Sequence, residues 1–296
     1  MSERLIEKLP KVRGAYRENA KIKNWFDVGG NAEILFRPQD IDDLQFFLQN
    51  CPKDIPINIL GVGSNVIIQD AGITGVLINL TSEFAKISHQ ENIITTGTSA
   101  LCSSVASYSK NCALSNLEFL SSIPGSTGGA IAMNAGCYGS DISEVLIKVT
   151  AIDYDGNLIE LKAEDFKFEY RKNNLSKNYI FLSASFACKN STIELVSAKI
   201  AEFNNNRQNT QPVRVKTGGS TFKNPKNTYK KAWQLIDEIG YRGFKKGDAQ
   251  ISEKHCNFMI NTNKAKAQDL LELGEEIKKK VKDKFHIDLE WEIKIY

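Results

Sequence analysis

Apolar positions along the chain follow two periods. Ile41, Leu44 and Leu48 recur at helical spacing and predict a helix over residues 40–50. Leu101, Val105 and Tyr108 do the same for a helix reaching about Ala113, with Ser99 as its cap. Leu270, Leu273, Ile277, Val281 and Phe285, three or four apart, predict a long amphipathic helix over residues 265–285, with Lys278, Lys279 and Lys280 on its solvated face. Further helices are expected over 193–206 and 230–239. Apolar runs bounded by turn residues predict strands at 55–60, 75–80, 92–98, 145–153, 158–162, 179–188, 249–251, 258–261 and 289–296. Asp27 to Arg37 reads as a turn entering a strand, and the residues before it as a short charged leader. The mixture is that of an α+β protein.

One stretch fits neither period. Residues 124–136 hold Gly125, Gly128, Gly129 and Gly136, and no charge occurs from Phe119 to Ser140. Glycine at this density costs backbone entropy, so it signals either close approach to a ligand or turns that need positive φ. Ser126, Thr127 and Asn134 add neutral hydrogen-bonding groups, and amides beside them could cradle an anion. A buried turn followed by a tightly packed helix of small residues explains the same pattern. A second glycine loop, Gly61-Val-Gly-Ser-Asn65, follows directly on an apolar run. It is not the dinucleotide fingerprint, whose third glycine would fall at Val66, and no lysine completes a Walker loop. Paired within one α+β domain, the two loops point to a large dinucleotide cofactor held outside a Rossmann fold.

Composition narrows the function. A chain of 296 residues exceeds one typical domain, and the polar run from Asn204 to Pro212 marks a junction before a second unit. The 38 basic and 35 acidic residues leave a diffuse net charge of +3. That gives no case for nucleic acid, yet would not repel an anionic substrate. Six scattered cysteines without a CxxC pair, and three histidines, argue against a zinc site and fit free thiols in a reducing cytosol. Charges interrupt the N-terminal apolar residues, unlike a signal peptide, and Pro124 with its glycines makes 119–140 a poor membrane span. A cytoplasmic protein with no metal, membrane or nucleic-acid partner is expected.

The motifs Val28-Gly-Gly-Asn-Ala, Gly61-Val-Gly-Ser-Asn, Ile123-Pro-Gly-Ser-Thr-Gly-Gly-Ala, Glu169-Tyr-Arg, Gly218-Gly-Ser-Thr-Phe-Lys-Asn-Pro, Ser252-Glu-Lys-His and Leu289-Glu-Trp-Glu-Ile occur in that order across nearly the whole chain. This ordered set resembles the UDP-N-acetylenolpyruvoylglucosamine reductase family. The resemblance implies a vanillyl-alcohol-oxidase-like (PCMH-type) FAD-binding domain of two α+β lobes at 28–193. A leader at 1–27 would pack on it, and a C-terminal α+β substrate domain would fill 194–296. By this likeness Gly61, Gly63, Ser64 and Asn65 face the FAD diphosphate, while Gly125, Ser126, Thr127, Gly129 and Gly136 line another side of a dissociable FAD. Only 48 residues separate Arg171 from Ser220. That leaves no room for the tyrosine-bearing substrate loop of one branch, so the chain resembles the shorter branch.

The reaction so implied reduces an enolpyruvyl ether, with NADPH as hydride donor and UDP-N-acetylglucosamine-enolpyruvate as substrate. It needs a hydride at one carbon, a proton at its neighbour and stabilisation of charge building on the carboxylate. Ser220 matches the family's proton donor, Arg171 its arginine and Glu292 its C-terminal glutamate. Arginine's planar fork suits bidentate contact with a carboxylate; the plain alternative for Arg171 is a surface ion pair with Glu169 or Asp165. In a strand Glu290 and Glu292 share one face, so spacing alone does not separate them. Tyr170, Lys223 and Asn224 are substrate-binding candidates, the last two toward the UDP diphosphate. Tryptophan at 291 stands where the family often has proline. An FAD-dependent alcohol oxidase of the same fold is the alternative activity, and a monomer is expected.

Overall fold

The computed structural model describes residues 4–296, and the part of the expected leader at residues 1–3 lies outside them. The chain divides into two compact units. One holds residues up to Ala20, Glu33–Val62 and Thr74–Asn206; the other holds Lys21–Ala32, Gly63–Ile73 and Arg207–Tyr296. A linear partition at 27/28 and 193/194 therefore misses two short excursions, 21–32 and 63–73, which belong with the C-terminal residues.

The first unit is built on two sheets. In the four-stranded one the order is Ala15–Lys21, Asn31–Arg37, Ile73–Ile78, Ile57–Ile59, and the last two strands run parallel. Helix Ile41–Asn50 buries Leu44, Phe47 and Leu48 in a core with Ile34, Phe36, Val76 and Ile78. Its first turn is fixed by Asp40, whose carboxylate accepts from the Asp43 amide at 2.9 Å, an N-cap of the ordinary kind. The second sheet is an antiparallel ladder in the order Leu158–Lys162, Leu146–Asp153, Tyr179–Ala187, Ile93–Gly97, Ile87–Gln90. Its apolar face packs with helix Cys102–Asn111 and the glycine-rich stretch around Val149, Phe166 and Phe186.

Three expectations need correction. Strand Ala15–Lys21 lies within the supposed leader; as an outer strand with five of its seven residues exposed, it shows no hydrophobic alternation. Ser99 does not cap the next helix, which begins at Cys102 after Leu101. Its hydroxyl donates instead to the Thr81 carbonyl at 2.7 Å. The final strand is short: only Lys294–Ile295 is regular, parallel to Val66–Ile67 in the second unit.

The second unit is a meander of Lys245–Lys246, Ala249–Ile251 and Met259–Asn261, covered by helices Ala232–Glu238 and Ala267–Phe285. The long helix buries Leu270, Leu273, Ile277 and Val281, the stripe its spacing predicts, against Phe26, Phe222, Ile251 and Met259. Both units mix helices and sheets, as the α+β class requires.

Candidate functional site

The glycine-rich stretch forms a turn and one short helix. Leu101 bridges Ser126 in antiparallel fashion, the Thr127 amide and hydroxyl donate to the Ala100 carbonyl at 2.8 and 3.0 Å, and the Gly128 amide donates to the Thr98 carbonyl at 2.8 Å. Ser126 caps helix Thr127–Ala132 by accepting from the Gly129 amide at 3.4 Å. The amides of Thr127, Gly128 and Gly129 are thus spent within the protein. They do not form the anion cradle that glycine density alone suggests, and Thr127 is wholly buried.

What the loop offers instead is bare backbone. A Cβ at exposed Gly61 would stand 2.4 Å from Ser126 Oγ, and one at exposed Gly129 would stand 3.5 Å from the same atom. Gly61 and Gly129, both in the first unit, therefore lie against Ser126, and at Gly61 a side chain would collide with it. Both glycines are exposed and carry no side chain, so their backbone is open to a ligand. Gly125 takes φ +147°, and Gly136 abuts Asp141, where a Cβ would fall 2.3 Å from Asp141 Cβ.

Beside this stretch sits the hairpin of Glu169-Tyr-Arg-Lys172. Glu169 and Lys172 exchange amide bonds at 3.0 and 3.1 Å, which puts Tyr170 and Arg171 at the tip, Arg171 with a left-handed φ of +57°. The Arg171 guanidinium donates to the Gly136 carbonyl at 2.7 Å and to the Asn134 carbonyl at 3.5 Å, and lies 5.1 Å from the exposed Tyr170 ring. The arginine is thus tied to the glycine-rich stretch. Cys137, next to that contact, donates its thiol to the Phe119 carbonyl at 3.3 Å.

In the second unit the Thr217-Gly-Gly-Ser-Thr-Phe-Lys segment threads between two partners. On one side Thr217 Oγ1 donates to the Met259 carbonyl at 2.6 Å and Ser220 bridges Phe258. On the other, Lys223 N–H donates to the Glu290 carbonyl and Glu292 N–H to the Thr221 carbonyl, both at 2.9 Å, with Phe222 paired to Trp291. This short antiparallel register sets Glu292 beside the serine's motif. Asn257 locks it: its buried side chain accepts from the Phe222 amide at 3.0 Å and donates to the Phe222 carbonyl at 2.8 Å. Asn257 was not legible as part of the site, since a lone asparagine carries no spacing signal; Asn134 was marked only as a polar group among the glycines.

The remaining candidates divide. Lys223 Nζ lies 3.2 Å from a carboxylate oxygen of Glu290, which is mostly exposed, whereas Glu292 is half-buried. Asn224 Oδ1 accepts from the Ala232 amide at 3.1 Å at the start of a helix. Gly63 needs its φ of +69°, and a Cβ there would stand 2.6 Å from the Lys23 carbonyl. Asn65 donates from its side chain to the Glu292 carbonyl at 3.2 Å, and Ser64 stays half-buried beside it. His255 is held uncharged: burial, then nearby Arg242 and Lys231, push its pKa below 6.5, while its Nδ1 accepts from the Asn257 amide at 3.2 Å.

Comparison with known proteins agrees with this geometry. A family model described as an FAD binding domain matches residues 32–162, and one described as the UDP-N-acetylenolpyruvoylglucosamine reductase C-terminal domain matches residues 211–296. Reductases of that name from Rickettsia massiliae and from a Wolbachia of Drosophila simulans are 45% and 44% identical, over 97% and 98% of this chain and 97% and 99% of their own. The crystal structure of the Thermus caldophilus reductase superposes with a TM-score of 0.82 at 30% identity, covering 97% of this chain and all of that one. The chain belongs to the UDP-N-acetylenolpyruvoylglucosamine reductase family.

Proposed function

We propose that this protein reduces the enolpyruvyl ether of UDP-N-acetylglucosamine-enolpyruvate to UDP-N-acetylmuramate, a step of peptidoglycan synthesis, using FAD and NADPH. The observation that carries the reading is the near full-length likeness to reductases of that name, with every motif of the set present in order. The residues fit the cofactor: Gly61 and Gly129 are exposed and present backbone without a side chain, as the close approach of a flat isoalloxazine or a diphosphate needs. With Gly125 and Gly136, and with Gly63, Ser64 and Asn65, they are the groups we assign to holding FAD. Bound, FAD supplies the hydride that originates in NADPH.

The chain's own residues do the rest. The planar fork of Arg171 offers two parallel donors to the substrate carboxylate. Ser220 Oγ delivers the proton to the carbon beside the one that takes the hydride. Glu292, whose backbone is paired with the Ser220 motif, stabilises the enolate-like intermediate. Lys223 and Asn224 face the diphosphate, and the exposed Tyr170 ring adds an apolar wall. Among the described residues no helix is long and apolar enough to cross a membrane. We assign the protein to the cytoplasm as a monomer, for which light scattering would read one chain of 33.1 kDa.

Substituting Ser220→Ala tests the assignment. Reduction of bound FAD by NADPH should survive, while reoxidation by the enolpyruvyl nucleotide falls by about 10²–10⁴-fold, the usual worth of a general acid. Equal loss of both half-reactions would remove Ser220 from the chemistry. Rapid reoxidation by air instead of by the nucleotide would favour an alcohol oxidase.

A further inference from the structure

Arg171 stands at the tip of a four-residue hairpin, and a long side chain on a tight turn is not held by the turn alone. Two features of residue 134 bear on where its guanidinium stands. The Asn134 carbonyl accepts from Arg171 Nη1, and the Asn134 side chain donates to the Glu169 carbonyl at 3.1 Å, at the base of that hairpin. The other end of the same amide accepts from the Ser143 amide at 3.0 Å, and its Nδ2 also lies 3.4 Å from Asp141 Oδ2. Asn134 is 2% exposed and adopts φ +42°, a conformation that asparagine tolerates better than most residues. A second strap runs in parallel, with Asn173 Nδ2 donating to the Ala132 carbonyl at 2.7 Å.

We propose that Asn134 is the positioning residue for Arg171: by clamping the Glu169–Lys172 hairpin to the glycine-rich stretch, it sets the guanidinium where it meets the carboxylate of the substrate. This rests on the reading above that Arg171 binds that carboxylate. A buried amide with both ends engaged allows the hairpin one orientation. Without it the guanidinium is no longer held at that place. The cost should fall on ligands that bear the carboxylate and spare those that lack it.

The test uses the FAD-loaded protein and two nucleotides, followed by the flavin absorbance. UDP-N-acetylmuramate carries the carboxylate, and UDP-N-acetylglucosamine does not. In Asn134→Asp the acceptor for Ser143 is kept, but the donor to the Glu169 carbonyl becomes a second acceptor. Binding of UDP-N-acetylmuramate should weaken about tenfold, the worth of one lost hydrogen bond with its repulsion, while UDP-N-acetylglucosamine binding and reduction by NADPH stay within about twofold. Asn134→Gly, which accepts the positive φ, should behave alike. In an Arg171→Ala background either change should have no further effect.

Equal weakening of both nucleotides, or loss of FAD from both variants, would mean a general structural role and overturn the proposal. Undiminished UDP-N-acetylmuramate binding by Asn134→Asp, with strong loss in Arg171→Ala, would overturn it alone. Undiminished binding by Arg171→Ala itself would overturn the carboxylate reading beneath it.

Discussion

The indole of Trp291 lies over Gly274 so closely that a Cβ at 274 would stand 2.1 Å from the indole Cη2. Its Nε1 donates to Glu275 at 2.8 Å, and its ring centroid is 5.0 Å from that of Phe222. Burial works against the Glu275 carboxylate, but Trp291 and Lys278 more than offset it and hold its pKa below the usual range. One tryptophan therefore anchors the segment that carries Glu292 to the long helix Ala267–Phe285.

Gly274→Ala should overfill that seat. The indole must move, and overpacking of this kind costs about 1–3 kcal/mol. Urea unfolding should show the loss. Turnover should fall more than stability alone explains, because Glu292 is the next residue along. Wild-type turnover in a stably folded variant would show that the anchor is not needed to place Glu292.

Gly61→Ala should push Ser126 Oγ out of place, since the new Cβ would begin 2.4 Å from it. The hydroxyl can rotate only by giving up the Gly129 amide, and a lost N-cap costs about 0.5–2 kcal/mol. FAD should be retained less well, as read by dialysis and residual absorbance. Adding Ser126→Ala should recover part of the retention, a coupling expected of two residues in direct contact. Strictly additive losses would refute the contact as the cause.

Glu290 and Glu292 are two residues apart, and the structure gives them different surroundings. Glu290 is exposed and pairs with Lys223 across 3.2 Å, a surface ion pair worth about 0–1 kcal/mol. Glu290→Gln should leave the oxidative half-reaction within severalfold of wild type. Glu292→Gln should slow it by orders of magnitude and leave reduction by NADPH intact. The reverse ranking in stopped-flow measurements would reassign the catalytic carboxyl.

Much of this was legible because periodicity survives where a face is buried. Leu270 to Phe285 announce a helix, and Leu146–Asp153 and Tyr179–Ala187 announce central strands. Ala15–Lys21 was invisible because an outer, solvated strand has no face to alternate. Ser99 misled because its hydroxyl finds a distant carbonyl, which a local capping rule does not foresee. At the site, motif order marked Arg171, Ser220 and Glu292 through the family likeness. Asn257 and Gly274 act through partners remote in sequence and left no local signal, and Asn134 stood out only as a polar group among the glycines, without its tie to Glu169.

His255 makes stability depend on pH in a definite direction. Burial favours the uncharged imidazole in the fold, so its pKa there lies below the 6.5 of an unfolded chain. Above pH 6.5 both states are neutral and the group contributes no slope. As pH falls below 6.5 the unfolded chain takes up a proton that the folded one resists, so stability drops until the folded pKa is passed. Protonation would also remove the acceptor for the Asn257 amide, and Asn257 holds the Phe222 backbone next to Thr221 and Ser220. His255→Asn, which keeps an acceptor and cannot charge, should flatten the urea midpoint between pH 7.5 and 5.5 relative to wild type. Identical slopes in the two proteins would show that His255 is not the group responsible.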